Sequence, residues 1–184
     1  MGSTQGVVEK RLGCGYHGGM SRVRRLLVSD RIFFVTVNLR RSLPFLREEE
    51  LPLVVEGLAE SRRRMEFLLC GYVVLPDHGH ALVWPRPPLT ISRAVESVKW
   101  QAASLLNRKR GRRGTVWPHQ FWERFVRHER ELAERLDYMH HNPVRRGLVK
   151  RPEDWRWSSC NNFSLEKQRA VGCPIPIDYV RMPG

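Results

Sequence analysis

Hydrophobic residues along the chain form separate blocks, and their spacing changes from one block to the next. The first block, residues 32–39, is a β-branched and aromatic run without alternation. It predicts a strand that is covered on both faces, or on one face and by a helix at its edge. From 47 to 64 the spacing becomes helical, with Leu53 and Leu58 among charges, and Pro52 fits the first turn of that helix.

The middle of the chain predicts a hairpin followed by two helices. Residues 67–75 and 78–84 are apolar runs joined by a Pro76-Asp77 turn, which is typical of antiparallel strands. A helical period then runs from about 91 to 106 through five apolar positions, Ala94, Val95, Val98, Ala102 and Leu105. A third helix is predicted over 129–142, with Pro143 and Gly147 marking its exit.

The order strand, helix, strand, strand, helix, helix predicts an α+β fold in which helices pack on one antiparallel sheet. The chain has 184 residues, which fits a single domain. We expect a flexible, basic and glycine-rich segment over 1–25, the folded domain over 26–160 and a tail over 161–184.

Charge narrows the class of partner. The chain carries 32 Lys and Arg against 19 Asp and Glu, a net charge of +13, which favours a polyanion such as nucleic acid. No run approaches the roughly 18 apolar residues of a spanning helix, and the N-terminal segment lacks the apolar core of a secretory signal. The four cysteines form no CxxC pair. We therefore expect a cytoplasmic protein with no membrane association.

Two histidines occupy alternate positions of one predicted strand. His78 and His80 project to the same side, while Gly79 between them points to the other. Two neutral imidazoles can bind a divalent metal. The alternative is a structural or surface pair of histidines, and the spacing alone does not separate the two.

Tyr138 lies outside the apolar stripe of the third helix. That stripe comprises four residues, Leu132, Ala133, Leu136 and Met139. Tyr138 is more than 100° from its centre, whereas Asn142 is about 40° from Tyr138 and one turn along, so both can address one point. In the alternative interpretation, Tyr138 packs under a loop and Asn142 only caps the helix before Pro143.

The segment 75–80, Leu-Pro-Asp-His-Gly-His, resembles the histidine-hydrophobe-histidine motif of the single-tyrosine transposases that act on single-stranded DNA. Residues 138–149 resemble the tyrosine helix of their REP-associated branch, the REP-associated tyrosine transposases. Segments 117–124 and 155–159 are also similar to that branch, so the resemblance spans 31–159. One departure is Gly79, which stands where the family usually has a bulky hydrophobe.

The resemblance implies a ferredoxin-like sheet and a transposase that cuts and rejoins single-stranded or hairpin DNA, with Mg²⁺ or Mn²⁺ and no small-molecule cofactor. By matching position, His78, His80 and Asn142 would hold the metal and Tyr138 would be the nucleophile. The protein would act as a monomer or homodimer.

Four basic residues flank the two motifs and are predicted to contact phosphates: Lys99, Arg127, Arg145 and Arg146. A solvated charged face is the competing interpretation. The arginine-rich stretch 107–114 is either a solvated loop or a further phosphate contact. We interpret His140 and His141 as surface or DNA-contacting residues.

Two other functions stay open at this point. A DNA-binding protein that has lost catalysis is the first, with Gly79 as the sign of decay. A hydrolase is the second, in which His78 and His80 activate water and Asp77 is the nearest carboxylate in the sequence.

Overall fold

The computed structural model describes residues 31–163 and 174–182. Its elements are β1 (Phe33–Asn38), α1 (Leu51–Met65), β2 (Leu68–Val74), β3 (His78–Trp84), α2 (Ile91–Lys109), β4 (Trp122–Phe125) and α3 (Glu129–Arg145). The strands form one antiparallel sheet in the order β2-β3-β1-β4, which is the ferredoxin-like arrangement of a βαββαβ unit. The predicted α+β fold is confirmed.

Two predicted segments fall largely or wholly beyond this part of the chain. The segment 1–25 lies outside the described residues, as does the stretch 164–173 of the tail. The domain boundaries therefore stay predictions. Among the described residues, no helix combines the length and apolar character that crossing a bilayer requires.

The sheet is covered on both faces, as the unbroken apolar run of β1 predicts. Phe33 and Val35 belong to the core beneath α1 and α2, whereas Phe34 points to the opposite face, beneath α3. The two helices of the first face pack closely, because a Cβ on Gly57 would lie 2.6 Å from the backbone nitrogen of Ala102. Only a residue without a side chain fits this crossing.

Helix α3 approaches β2 closely on the other face. A Cβ on Gly71 would lie 2.6 Å from Leu136 Cδ2 and 3.3 Å from Met139 Sδ. Leu132 and Met139 are buried against the sheet, whereas Ala133, which the predicted stripe includes, is exposed. Glycine in the strand therefore sets how near α3 can come to the sheet.

Helices α2 and α3 extend beyond their predicted ends. Helix α2 runs three residues past 106, and α3 continues through Pro143 to Arg145. After the proline, the backbone N–H groups of Arg146 and Leu148 bond to the carbonyls of Asn142 and Pro143, so the helical hydrogen bonding resumes within the last turn. Gly147, with φ 68°, marks the exit as expected. The short edge strand β4 was not predicted, because only four half-exposed residues form it.

Candidate active site

His78 and His80 lie on the face of the sheet that α3 covers. Their strand β3 pairs with β1, which sets His80 opposite Thr36 and His78 opposite Asn38. The two ring centroids are 4.8 Å apart, and the His80 ring stacks on Phe34 at 5.1 Å. Strand alternation therefore brings the two imidazoles together, as the sequence predicts.

A hydrogen bond at Nδ1 orients each ring. Asp77 Oδ1 lies 2.8 Å from His78 Nδ1, and Thr36 Oγ1 lies 2.8 Å from His80 Nδ1. With Nδ1 protonated and donating, each Nε2 keeps its lone pair. Burial lowers the pKa of His80 to about 3, and the positive charge of a protonated His78 acts in the same direction. His80 is therefore neutral near pH 7.

Helix α3 presents Tyr138 and Asn142 to this pair. The Tyr138 ring centroid is 5.6 Å from that of His80, and the side chain is 40% exposed. Asn142 is buried, and its amide nitrogen lies 3.1 Å from His80 Nε2. Asn142 thus faces the histidines rather than capping the helix, and the i, i+4 spacing brings both residues to one point.

Arginines surround the same point. The Arg145 guanidinium lies over the Tyr138 ring at 5.1 Å, and Arg146 Nη2 bonds to Asp77 Oδ2 at 2.9 Å. Burial opposes ionisation of Asp77, but its hydrogen bonds with His78 and Arg146 outweigh it and lower the pKa of this carboxyl. The open cleft here has a volume of about 450 Å³. It combines arginine side chains, a tyrosine hydroxyl and two imidazoles.

The sequence model of the family described as "Transposase IS200 like" matches residues 32–128, more than half of the chain. The chain belongs to this transposase family. The REP-associated tyrosine transposase of Escherichia coli K12 is 29% identical to it over 87% of this chain and 91% of that protein. A REP-associated tyrosine transposase proposed for Haemophilus influenzae is 27% identical over 76% and 85% of the two chains.

A solved structure described as a REP-associated tyrosine transposase bound to a REP hairpin is also similar. Its TM-score is 0.66 at 28% identity, and the match covers 88% of this chain and 92% of that one. The resemblance to the REP-associated branch is thereby confirmed.

Two of the four predicted phosphate contacts lie away from the cleft beside Tyr138 and the histidines. Lys99 Nζ, on α2 and the opposite face of the sheet, donates to the carbonyls of Pro118 at 2.5 Å and His119 at 3.0 Å. Arg127 follows the end of β4 that pairs with the start of β1, the far end from the histidines. Both residues thus lie away from the histidines, and whether they contact phosphates stays a prediction.

His140 is also not a surface residue. It is buried, and its Nε2 lies 2.9 Å from the Ser159 hydroxyl. Burial lowers the pKa of His140 to about 4, with His141 acting in the same direction, so it is neutral near pH 7. Its contact ties α3 to the segment beside β2. His141 is exposed, as expected.

Other residues that line the cleft include Thr36, Trp122 and Arg135, and sequence reasoning did not assign Thr36 or Arg135 to the site. Trp122 lies on β4, is 48% exposed and meets the Phe34 ring edge-on at 6.0 Å. The Arg135 guanidinium lies 5.4 Å from the same Phe34 ring. Thr36 and Trp122 are opposite each other in the β1–β4 register, so only the strand pairing relates them to His80.

The residues beside Tyr138 suit a divalent metal. Within 31–163 and 174–182 no three His, Cys, Asp or Glu side chains form a metal-binding group, so a ligand set must include another donor type. Both Nε2 atoms are available, and a half-turn of the Asn142 amide puts its oxygen beside His80 Nε2. Two imidazoles with an amide oxygen are a mixed set that accepts a divalent cation such as Mn²⁺.

Proposed function

We propose that this transposase cleaves and rejoins single-stranded DNA at hairpins, with Tyr138 as the nucleophile and a divalent metal held by His78, His80 and Asn142. One observation carries the proposal: the Tyr138 ring lies 5.6 Å from the His80 ring in an open cleft. A half-exposed tyrosine beside two oriented imidazoles suits attack on a phosphodiester.

In the proposed step, the Tyr138 oxygen attacks the phosphorus, the bond from phosphorus to the 3′ oxygen breaks, and the departing 3′ oxygen receives the phenol proton. The products are a 5′-phosphotyrosine and a free 3′-hydroxyl. A second 3′-hydroxyl can reverse the step and join strands without ATP, because the covalent link conserves the phosphodiester.

An ordinary phenol is a poor nucleophile at pH 7, since only about one in a thousand is ionised. A bound Mg²⁺ or Mn²⁺ supplies Lewis acidity toward the phosphate and leaving oxygen. The protein's own side chains contribute the orientation of the rings and positive charge. Asp77 and Thr36 hold the two rings in register, and Arg145 and Arg146 add positive charge where phosphate oxygens would lie.

The solved relative that is bound to a REP hairpin supports hairpin DNA as the substrate. The net charge of +13 suits such a polyanion. Whether the protein acts as a monomer or a homodimer, and its cytoplasmic location, stay predictions.

Two competing functions are less consistent with the cleft. A hydrolase would need a carboxylate free to act on water, but Asp77 is already engaged by His78 and Arg146. Loss of catalysis through Gly79 would require this residue to disturb the site. Gly79 faces the opposite side of the sheet, where a Cβ would meet Val73 O at 3.2 Å, and both rings are held without it.

The test is a covalent adduct. Hairpin DNA labelled at its 3′ end is incubated with the protein and Mn²⁺, and the labelled protein is measured after denaturing electrophoresis. The label is at the 3′ end because the 5′-phosphate side stays on the protein. We expect an adduct with the parent protein and none with Tyr138→Phe.

Tyr179→Phe is the matched control, since it removes the same hydroxyl from an exposed tyrosine. It should form the adduct at the parent rate. An adduct that survives Tyr138→Phe contradicts the assignment of the nucleophile, and hairpin binding without any adduct supports the decayed DNA-binding protein instead.

A further inference from the structure

A second cleft lies on α2, on the other face of the sheet from Tyr138. Its volume is about 460 Å³, and it opens between Trp100 and the basic loop after α2. Trp100 is 65% exposed, and Ser104 and Asn107 share its helix face at the i+4 and i+7 positions. Arg108, Arg112 and Arg113 also line the cleft.

The part of the cleft next to Trp100 is lined by small side chains. Between Trp100 and Asn107, the residues of α2 that line the cleft are Ala103 and Ser104. The indole therefore borders an open space instead of packing against a neighbouring large residue. An exposed indole next to arginines is the usual arrangement of a stacking platform for nucleic-acid bases.

Two polar atoms at this cleft have no hydrogen-bond partner among the described residues, although both are buried: Asn107 Oδ1 and Arg112 Nη1. The Asn107 amide is oriented, because its Nδ2 donates to Gly114 O at 2.8 Å. Arg112 is tied through Nη2 to Arg113 O at 3.2 Å. One acceptor and one donor are thus held in place, and each needs a partner.

We propose that this cleft binds one unpaired base of single-stranded DNA, which stacks on Trp100 and is read at its edge by Asn107 and Arg112. Guanine matches the pair, because O6 accepts from a guanidinium while the adjacent N1–H donates to an amide oxygen. The choice of DNA as the ligand rests on the proposed function.

The basic loop connects the cleft to the end of the sheet where the candidate active site lies. After the basic loop, Val116 O accepts from the backbone N–H of Arg40, and the neighbouring Leu39 N–H donates to Asp77 O. The loop is therefore joined to the strand ends that carry Asp77 and His78. A single strand that passes around this end can contact both clefts, so the base that is read lies on the strand that is cut.

The experiment measures binding without cleavage. Tyr138→Phe protein, free of metal, is titrated into fluorescein-labelled thymine decamers that carry one central guanine or none, and anisotropy is recorded. We expect the guanine decamer to bind about tenfold more tightly. Trp100→Ala and Arg112→Ala, each added to this protein, should bind both decamers equally.

Arg93→Ala is the matched control, because it removes an exposed arginine from the first turn of the same helix. It should keep the guanine preference. Far-UV circular dichroism and melting curves verify that each variant is folded. Equal binding of both decamers by the Tyr138→Phe parent, or a preference that survives in Trp100→Ala and Arg112→Ala, overturns the proposal. Adduct formation by protein with Tyr138 intact is measured separately, so a failure of this site is distinguishable from a failure of the proposed function.

Discussion

The two faces of the sheet are built from the same strands but differ in chemistry. Beneath α1 and α2 the face is apolar, with Phe33 and Val35 of β1 in the core. Beneath α3 the same strand continues from Phe34 to Thr36 and Asn38, and β3 adds His78 and His80 beside them. Alternation along a strand is thus enough to separate the residues that stabilise the fold from those that form the site.

This separation predicts different costs for substitutions on the two faces. On the α1–α2 face a change should reduce the free energy of unfolding and leave the chemistry of the folded molecules unaltered. On the α3 face a change at the cleft should reduce activity with little loss of stability. The four predictions below test this difference, from the largest expected effect to the smallest.

His78→Ala should have the largest effect. Removing one of the proposed imidazole ligands should slow the proposed metal-dependent adduct formation about a thousandfold, since a bound metal contributes several kcal/mol to such steps. The melting temperature should change little, because among the described residues the His78 ring bonds to Asp77, and Asp77 keeps its bond to Arg146. His141→Ala on α3 is the control and should retain full activity. A large loss of stability in His78→Ala would contradict the separation of the faces.

Gly57→Val tests the opposite face. Its side chain would clash with the backbone of Ala102, so we expect the free energy of unfolding in urea to fall by about 3 kcal/mol. Glu56→Val, at the exposed neighbouring position, should change it by less than about 0.5 kcal/mol. Adduct formation per folded molecule should equal that of the parent, and a reduced rate at full folding would show that the faces are coupled.

Glu50 gives this face a pH dependence. Hydrogen bonds from Arg110 lower the pKa of the buried Glu50 carboxyl to about 2, against an opposing effect of burial. Because the folded-state pKa is the lower one, this stabilisation is present above about pH 4.5 and is lost as the pH falls toward 2. Between pH 5.5 and 3 the loss should be about 2 kcal/mol.

Urea unfolding of the parent and of Glu50→Gln at several pH values measures this contribution. The difference in unfolding free energy between the two proteins should shrink as the pH falls through that range. A difference that stays constant would exclude Glu50 as the titrating group.

The smallest expected effect is the difference in hairpin binding between Arg145→Ala and Arg127→Ala. Both changes remove one positive charge, but Arg145 lies over Tyr138 whereas Arg127 is at the far end of β4. We expect hairpin binding to weaken about fivefold in Arg145→Ala and less than twofold in Arg127→Ala. Anisotropy titrations at two salt concentrations measure both, and equal effects would show that the charges act only through the net field.

Local patterns were sufficient for much of this architecture. The apolar runs predict β1, β2 and β3, and alternation alone puts His78 and His80 on one side. The helical angle likewise separates Tyr138 from the apolar stripe. These predictions succeed because each depends on neighbours within one or two turns or along one strand.

Features that depend on distant partners were not predictable. His140 is buried where it bonds to Ser159, and Lys99 donates hydrogen bonds to the carbonyls of Pro118 and His119. Strand β4 exists through its pairing with β1, since its four residues carry little signal of their own. Each of these contacts joins residues that are brought together only by the folded chain.

The C-terminal segments alongside β2 also decide how the sheet can meet other chains. Backbone groups of Leu69, Tyr72 and Val74 on this edge are bonded to Asp178, Ser159 and Trp157. A strand from another molecule cannot add to β2 without displacing the segment around 157–159 and the segment around 178. The opposite edge, β4, offers four residues, of which Glu123 and Arg124 are charged. Strand addition is thus blocked at the β2 edge. At the other edge, the β4 strand is short and charged, which disfavours pairing with another molecule and protects the sheet from aggregation.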